Sequence, residues 1–292
     1  KSDFLTQGPK VEEFEKKVAA YIGSKYAVTV SNGTAALHLA ALSLGVKKGT
    51  KVITSPISFV ATANCIEYCG GEVDFCDINP DTLCLDINHV REKLENSPKG
   101  TYSGIIPVDF AGYPVQMDEI RSLANEYDLW ILEDSCHAPG GCFVDNKGVN
   151  QNCGNGSYAN AAIFSFHPVK HIACGEGGMV TTNDEKVYEK LKLLRSHGIT
   201  KDSNKLFSNH GSWYYEMQNL GYNYRLPDIQ CALGISQLKR ATFNIENFNL
   251  KSFFDDHDLD FESHTILRRE ILPSGKSRAF VNDSPVNLTI LA

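Results

Sequence analysis

Two stretches of the sequence combine residue types that are able to do chemistry. In FSFHPVKHIACGEGG (164–178), a single lysine, Lys170, lies between an apolar run that contains proline and a run rich in glycine. In SNGTAAL (31–37), Gly33 and Thr34 stand at the start of a predicted helix, where free N–H groups and the helix dipole are able to bind a phosphate. Each feature has a plainer interpretation, because most lysines lie on the surface and Ser-Asn-Gly-Thr is also an ordinary capping turn.

A third stretch, ILEDSCHAPGG (131–141), places polar side chains at the end of an apolar run. These are Glu133, Asp134 and His137. The structural interpretation is a helix cap or a surface carboxylate. The chemical interpretation is that Asp134 binds a cationic heterocycle through a charge-assisted hydrogen bond.

Taken together, the three stretches match the needs of pyridoxal 5′-phosphate. This cofactor requires a phosphate site, a carboxylate for its pyridine nitrogen and a lysine that forms a Schiff base with its aldehyde. Asp134 would keep the ring nitrogen protonated. Lys170 would anchor the aldehyde, be displaced by the amino substrate and then move the proton.

These stretches lie in a regular alternation of predicted strands and helices. This alternation predicts an α/β fold with a mainly parallel sheet that is covered on both faces, and ligands of such sheets bind at the carboxyl ends of the strands. Glycine and asparagine predict a surface excursion at 140–160. The predicted strands span 27–30, 51–55, 72–76, 103–110, 129–135, 161–166 and 178–182. The predicted helices span 9–23, 31–45, 59–70, 87–96, 116–128 and 184–198, and a further apolar helix follows Arg225.

The composition is that of an ordinary globular protein. The 292 residues are 42% hydrophobic and 22% charged, and the net charge of -7 disfavours nucleic acid or an anionic membrane as a partner. No apolar run approaches the length of a membrane span, so we expect a cytoplasmic protein. The nine cysteines are predicted to be mostly reduced core residues. A zinc site at Cys65 and Cys69 is disfavoured because no second matching pair is present.

Five motifs, in order along the chain, resemble those of the DegT/DnrJ/EryC1/StrS nucleotide-sugar aminotransferases. They are LTQGPKVEEFE, SNGTAALHLA, EDSCHAPGG, FSFHPVKHIACGEGGMV and GYNYRLPDIQCALGISQL. The resemblance implies the aminotransferase fold of type I, with a seven-stranded, mainly parallel sheet between helices. It also implies a pyridoxal-phosphate-binding large domain at 1–240. Residues 241–292 do not resemble the family's small C-terminal domain, so we expect a truncated or diverged remnant there.

The resemblance also implies roles for individual residues. His137 stands where many members of the family have a glutamine that contacts the 3′-oxygen of the ring, and a histidine is also able to donate a hydrogen bond there. Phe59 has the alternative of a core phenylalanine, and His167, His171 and Glu176 are either structural or directed to the substrate. The implied roles are the Schiff-base lysine for Lys170, the pyridinium partner for Asp134, phosphate ligands for Gly33, Thr34 and Ser165, the stacking ring for Phe59, and a phosphate ligand to the neighbouring subunit for Asn223.

The function implied by the resemblance is transamination of a UDP-linked 4-keto-6-deoxy sugar, with glutamate as donor. The style of the motifs is that of the pseudaminic acid subgroup, whose 4-amino sugars serve surface glycans. A homodimer with shared active sites follows, although the GYNYR segment also has the alternative of folding onto its own subunit. A non-catalytic homologue that keeps the fold is the competing hypothesis. A sugar dehydratase of this family is disfavoured, because that subgroup has a histidine in place of Lys170.

Overall fold

The computed structural model divides the chain into two compact units, Lys1–Ala241 and Thr242–Ala292. The residues that the structure describes are 5–208, 210–241, 267–271, 277–281 and 284–286.

The first unit alternates strands and helices as predicted. Each predicted strand and each predicted helix has its counterpart, which differs mainly in its end residues. The helices are α1 Pro9–Ile22, α2 Gly33–Ser43, α3 Ala61–Tyr68, α4 Ile87–Glu95, α5 Met117–Tyr127, α6 Glu185–Arg195 and α7 Asp228–Ala241, with a short 3-10 helix at Phe110–Gly112. The strands are β1 Tyr26–Val30, β2 Lys51–Thr54, β3 Glu72–Phe75, β4 Gly104–Ile106, β5 Trp130–Asp134, β6 Cys142–Val144, β7 Asn150–Asn152, β8 Ala161–Ser165, β9 Gly178–Thr182, β10 Ile199–Thr200 and β11 Glu216–Met217.

Seven of these strands form one sheet in the order β1-β9-β8-β5-β4-β2-β3. Strand β9 is antiparallel to both of its neighbours, and the remaining pairs are parallel. The predicted mainly parallel, seven-stranded α/β sheet is therefore confirmed. Because β4, β5 and β8 are parallel, the residues that follow them meet at one edge of the sheet.

The two faces of the sheet contribute to different apolar clusters. Ile106 and Leu132 pack with residues of α2, α3 and α6, whereas their chain neighbours Ile105 and Ile131 pack with residues of α4 and α5. Successive side chains of a strand point to opposite faces, so both faces of the sheet are covered. The same alternation places Glu133 and Asp134 on opposite faces.

Three predicted details differ from the structure. The pattern of 72–76 predicts a strand that is covered on both faces, but β3 is an edge strand and Phe75 is 47% exposed. The predicted strand 103–110 is a regular strand only over β4. An isolated parallel bridge then pairs Val108 with Asp134 before Asp109 begins the turn into the short 3-10 helix. The surface excursion 140–160 contains a small antiparallel hairpin formed by β6 and β7.

All nine cysteines lie in the described part of the chain and are free thiols, six of them buried, as predicted for core residues. Among the described residues, no helix has the length and apolar character needed to cross a bilayer.

The described residues of the second unit form a three-stranded antiparallel sheet, and the predicted remnant at 241–292 lies mostly outside the described residues. Its strands are β12 Leu267–Ile271, β13 Ser277–Val281 and β14 Ser284–Val286.

Candidate active site

A cavity of about 430 Å³ lies where β5 and β8 end, next to the N-termini of α2 and α3. Seven predicted site residues of this chain line it: Gly33, Thr34, Phe59, Asp134, His137, Ser165 and Lys170. A larger cavity of about 560 Å³, lined by segments around Asp86, Tyr113 and Phe143, contains none of them. The chemistry predicted from the sequence therefore converges on the smaller cavity.

The N-terminus of α2 meets the end of β8 at one wall of this cavity. Asn32 caps the helix, since its Oδ1 accepts a hydrogen bond from the Ala35 N–H at 2.8 Å. A Cβ atom at Gly33 would lie 3.2 Å from the Ser165 hydroxyl oxygen, so glycine allows the helix and the hydroxyl to come together. The Gly33 and Thr34 N–H groups, in the first helical turn, have no intrahelical acceptor. This wall presents the donors that a phosphate requires.

Asp134 also lines the cavity, at the end of β5. It is only 4% exposed. Its Oδ2 accepts a hydrogen bond from the Thr62 hydroxyl at 2.7 Å, and its Oδ1 accepts one from the Cys136 N–H at 3.2 Å. The Ser58 hydroxyl lies 2.7 Å from Thr62 Oγ1, so the series of hydrogen bonds continues to the residues just before α3. These donors fix the orientation of a carboxylate that borders the cavity.

Lys170 lies in the turn that follows β8. Its N–H donates to the His167 carbonyl at 2.9 Å, and its side chain is half-buried beside the cavity. Burial lowers the pKa of His137, and the positive charge of Lys170 lowers it further. The negative charge of Asp134 opposes this change. Lys170 and Asp134 thus act in opposite directions on His137.

His137 accepts a hydrogen bond at Nδ1 from the Ala111 N–H at 3.3 Å, and its ring stands edge-on to Phe110. An acceptor at Nδ1 leaves the proton of a neutral imidazole on Nε2. Since burial and Lys170 both lower the pKa of His137, the neutral form is favoured, with Nε2–H as a donor.

The remaining predicted residues differ in their relation to the cavity. Phe59 is 70% exposed at the rim, so its alternative as a core residue is wrong. His167 and Glu176 line the cavity, whereas His171 is exposed and does not. Asn223 is exposed and also lies outside the cavity lining, so its predicted contact with a neighbouring subunit stays a prediction.

Two features of the site are not predicted by the sequence. The hydroxyl donor Thr62 is 72 positions from Asp134, and only the i, i+4 spacing of Ser58 and Thr62 at the start of a predicted helix could have indicated it. Glu133 is neither a helix cap nor a surface carboxylate. It is 3% exposed and faces Asp109, because it lies on the other face of β5.

The sequence pattern of the DegT/DnrJ/EryC1/StrS aminotransferase family matches residues 1–249. The chain belongs to this family. DegT-family aminotransferases use pyridoxal 5′-phosphate. The chain spans only 59–63% of the length of the curated relatives it matches.

Individual relatives carry more specific names. The chain is 42% identical over 256 residues to a UDP-4-amino-4,6-dideoxy-N-acetyl-beta-L-altrosamine transaminase of Campylobacter jejuni, covering 87% of this chain and 63% of that protein. The structure of Helicobacter pylori PseC, an aminotransferase of pseudaminic acid biosynthesis, matches with a TM-score of 0.71 at 33% identity, over 91% of this chain and 67% of that one. The structure of NtdA from Bacillus subtilis, with bound cofactor PMP, matches with a TM-score of 0.67 at 30% identity, over 81% of this chain and 49% of that one.

Proposed function

We propose that the protein is a pyridoxal-phosphate-dependent transaminase that converts a UDP-linked 4-keto-6-deoxy sugar into a 4-amino sugar for surface glycans. The observation that carries the proposal is the meeting of Lys170, Asp134 and the Gly33–Ser165 wall in one cavity. The names of the relatives support the sugar, and glutamate as amino donor rests on the family resemblance. The nine free thiols support a reducing compartment, and we place the reaction in the cytoplasm.

The donor set of the cavity fits the cofactor. A glycine that a Cβ atom would crowd against Ser165, together with a helix N-terminus, suits a phosphate, and the buried Asp134 suits a protonated ring nitrogen. Phe59, which is exposed at the rim, offers an apolar face to an aromatic ring. Pyridoxal 5′-phosphate, when bound, supplies an electron sink for negative charge on the carbon next to the amine nitrogen.

Each residue then has a defined task. The Asp134 carboxylate accepts the N–H of the ring, and Thr62 holds that carboxylate in place. The Nζ atom of Lys170 attaches the cofactor and, once released, carries the proton that moves during amine transfer. The Nε2–H group of His137 donates to the ring oxygen. Ser165 and the start of α2 bind the phosphate.

A half-reaction tests this proposal without the sugar substrate. When the purified chain is loaded with pyridoxal 5′-phosphate and mixed with glutamate, the absorbance of the aldehyde form should convert to that of the amino form. Lys170→Ala, the matched control, should slow the conversion by at least about 10³-fold, since the proton carrier is lost. A chain that binds the cofactor but converts none of it would favour the non-catalytic homologue instead.

We further propose a homodimer in which Asn223 reaches the phosphate of the partner subunit. Helix α7 supports this proposal because it has two apolar faces. Ile235 and Leu238 are buried, whereas Ile229 and Leu233 are 66% and 44% exposed. Exposed apolar residues at i and i+4 form a stripe that suits a symmetric interface.

Mixing two inactive variants tests the shared site. Lys170→Ala and Asn223→Asp chains should form hybrid dimers in which one of the two sites carries neither change, so activity should return in part. A monomer at micromolar concentration, or no recovery despite proven subunit exchange, would exclude the shared site.

A further inference from the structure

A closed acidic cluster lies behind the cavity, on the opposite face of β5 from Asp134. Asp109, Glu133 and Cys153 are 0%, 3% and 1% exposed, and their ligand atoms lie within 4.8 Å of one another. Among the described residues, neither Asp109 nor Glu133 takes part in an ion pair. Two adjacent buried carboxyl groups without a cation cannot both be ionised at neutral pH.

The polar partners differ between the two carboxyl groups. Asp109 accepts hydrogen bonds from the Val115 N–H at 3.0 Å and the Ser135 hydroxyl at 2.8 Å, whereas Glu133 accepts one from the Gly154 N–H at 2.9 Å. Burial, and next the charge of Asp109, raise the pKa of Glu133 well above its usual range. Burial raises the pKa of Asp109 only to about 6, because its donors oppose the change.

We propose that Glu133 and Asp109 share one proton, held by Glu133, and that the remaining charge on Asp109 positions His137 beside Asp134. The first link is direct. The Asp109 N–H donates to the Asp134 carbonyl at 3.1 Å, and the Ser135 hydroxyl donates to the Asp109 carboxylate. Asp109 therefore ties the end of β4 to the residues that follow β5.

The second link runs through the loop that leaves β4. Asp109 holds the end of this loop by accepting from the Val115 N–H. Within the loop, the Ala111 N–H donates to His137, and a Cβ atom at Gly112, where φ is 87°, would lie 3.0 Å from the His137 carbonyl oxygen. A change in the charge of Asp109 would therefore move the donor that orients His137.

Among the described residues, the titratable groups with the largest electrostatic effects on the pair, or with pKa values that the pair shifts, are acids. They are Asp134, Cys84, Cys136 and Cys153. Burial, and next the charge of Asp109, raise the pKa of Cys153. The proton on Glu133 thus avoids the repulsion between two ionised carboxylates in the core.

Infrared spectroscopy of the cofactor-free chain tests the shared proton. A protonated carboxyl band should be present at pH 7, vanish in Glu133→Gln and persist in Asp145→Asn, which removes a buried carboxylate outside the pair. The absence of the band, its survival in Glu133→Gln, or a stoichiometric metal ion in the purified chain would overturn the proposal. An ion would take the place of the proton.

NMR titration of labelled histidines tests the positioning role. In Asp109→Asn, the Ala111 donor should leave His137 Nδ1, so the titration midpoint of His137 should rise, while Asp145→Asn should leave it unchanged. If Asp109→Asn does not fold, Ser135→Ala, which removes one donor to Asp109, should shift the midpoint in the same direction. An unchanged His137 titration in the folded variant would show that the pair does not position His137.

Only the link to the cofactor site rests on the proposed function. Both measurements use the cofactor-free chain, so a failure of pyridoxal 5′-phosphate to bind would overturn the proposed function and leave the proton-sharing result standing. With the cofactor, Asp109→Asn should weaken binding more than Asp145→Asn does. Equal affinities in the two variants would contradict the positioning role.

Discussion

Strand β5 ends in two successive carboxyl groups whose surroundings differ. Asp134 borders a cavity and accepts hydrogen bonds from a hydroxyl and a backbone N–H, whereas Glu133 lies in the closed core beside a second carboxyl group. The alternation of strand side chains separates the two groups, although they are neighbours in sequence. The difference teaches that two successive carboxyl groups at a strand end meet different surroundings, one at a cavity and the other in the core.

Asp134→Asn should give the largest effect, on function rather than on stability. An amide cannot hold a proton on the pyridine nitrogen, so the half-reaction with glutamate should slow by about 10²–10³-fold. The free energy of unfolding should change by only about 1 kcal/mol, because one carbonyl oxygen still accepts a hydrogen bond. Stopped-flow absorbance and urea unfolding measure the two quantities. An undiminished half-reaction would remove Asp134 from the mechanism.

Glu133→Gln should give the reverse pattern. The unfolded chain ionises Glu133 near pH 4.5, whereas burial keeps it protonated in the folded chain, so rising pH destabilises the wild-type protein relative to the variant. From about pH 4.5 upward, the wild-type free energy of unfolding should therefore fall relative to Glu133→Gln, until Glu133 also ionises in the folded chain. The slope is at most about 1.4 kcal/mol per pH unit. Parallel pH profiles from pH 6.5 to 8 would mean that Glu133 is ionised in the fold.

Thr62→Val should produce an intermediate effect on the Asp134 side. The substitution keeps the shape of the side chain but removes the hydroxyl donor, so cofactor affinity should fall by roughly tenfold, the cost of one hydrogen bond to a charged group. Thr182→Val is the matched control, because the Thr182 hydroxyl donates to the Asn160 carbonyl. Equal affinities of the two variants would show that Thr62 does not support Asp134.

Phe59→Leu should have the smallest effect. Phe59 is 70% exposed, so stability should hardly change, while the loss of ring stacking should weaken cofactor binding by about three- to tenfold. Phe75→Leu, at an exposed position of edge strand β3, is the control for the change of side chain. A cofactor titration followed by fluorescence should show weaker binding in Phe59→Leu than in Phe75→Leu. The stacking role fails if they bind alike.

The strands, the helices and most residues that line the cavity could be predicted from the sequence. Apolar periodicity and capping residues such as Asn32 are local signals, and they predicted every strand of the main sheet. The hairpin of β6 and β7 was missed because its strands are three residues long and the segment is rich in glycine and asparagine. The edge position of β3 depends on strand order, which is a tertiary property.

Contacts between distant residues were the part that the sequence could not predict. Thr62 reaches Asp134 across 72 positions, and Asp109 reaches Ser135 across 26. Residue type indicated that Glu133 should be exposed, because a buried carboxyl group needs a partner. That partner is Asp109, which lies in the turn after the neighbouring strand β4. No pattern near Glu133 in the sequence indicates this contact.

The central claim is that Lys170 attaches the cofactor in the cavity bordered by Asp134. The direct measurement is borohydride reduction of the chain loaded with pyridoxal 5′-phosphate, followed by peptide mapping. The account predicts that the pyridoxyl group is found on Lys170 and that folded Lys170→Ala carries no reducible chromophore. A pyridoxyl group on another lysine, or an unchanged reducible chromophore in Lys170→Ala, would contradict it.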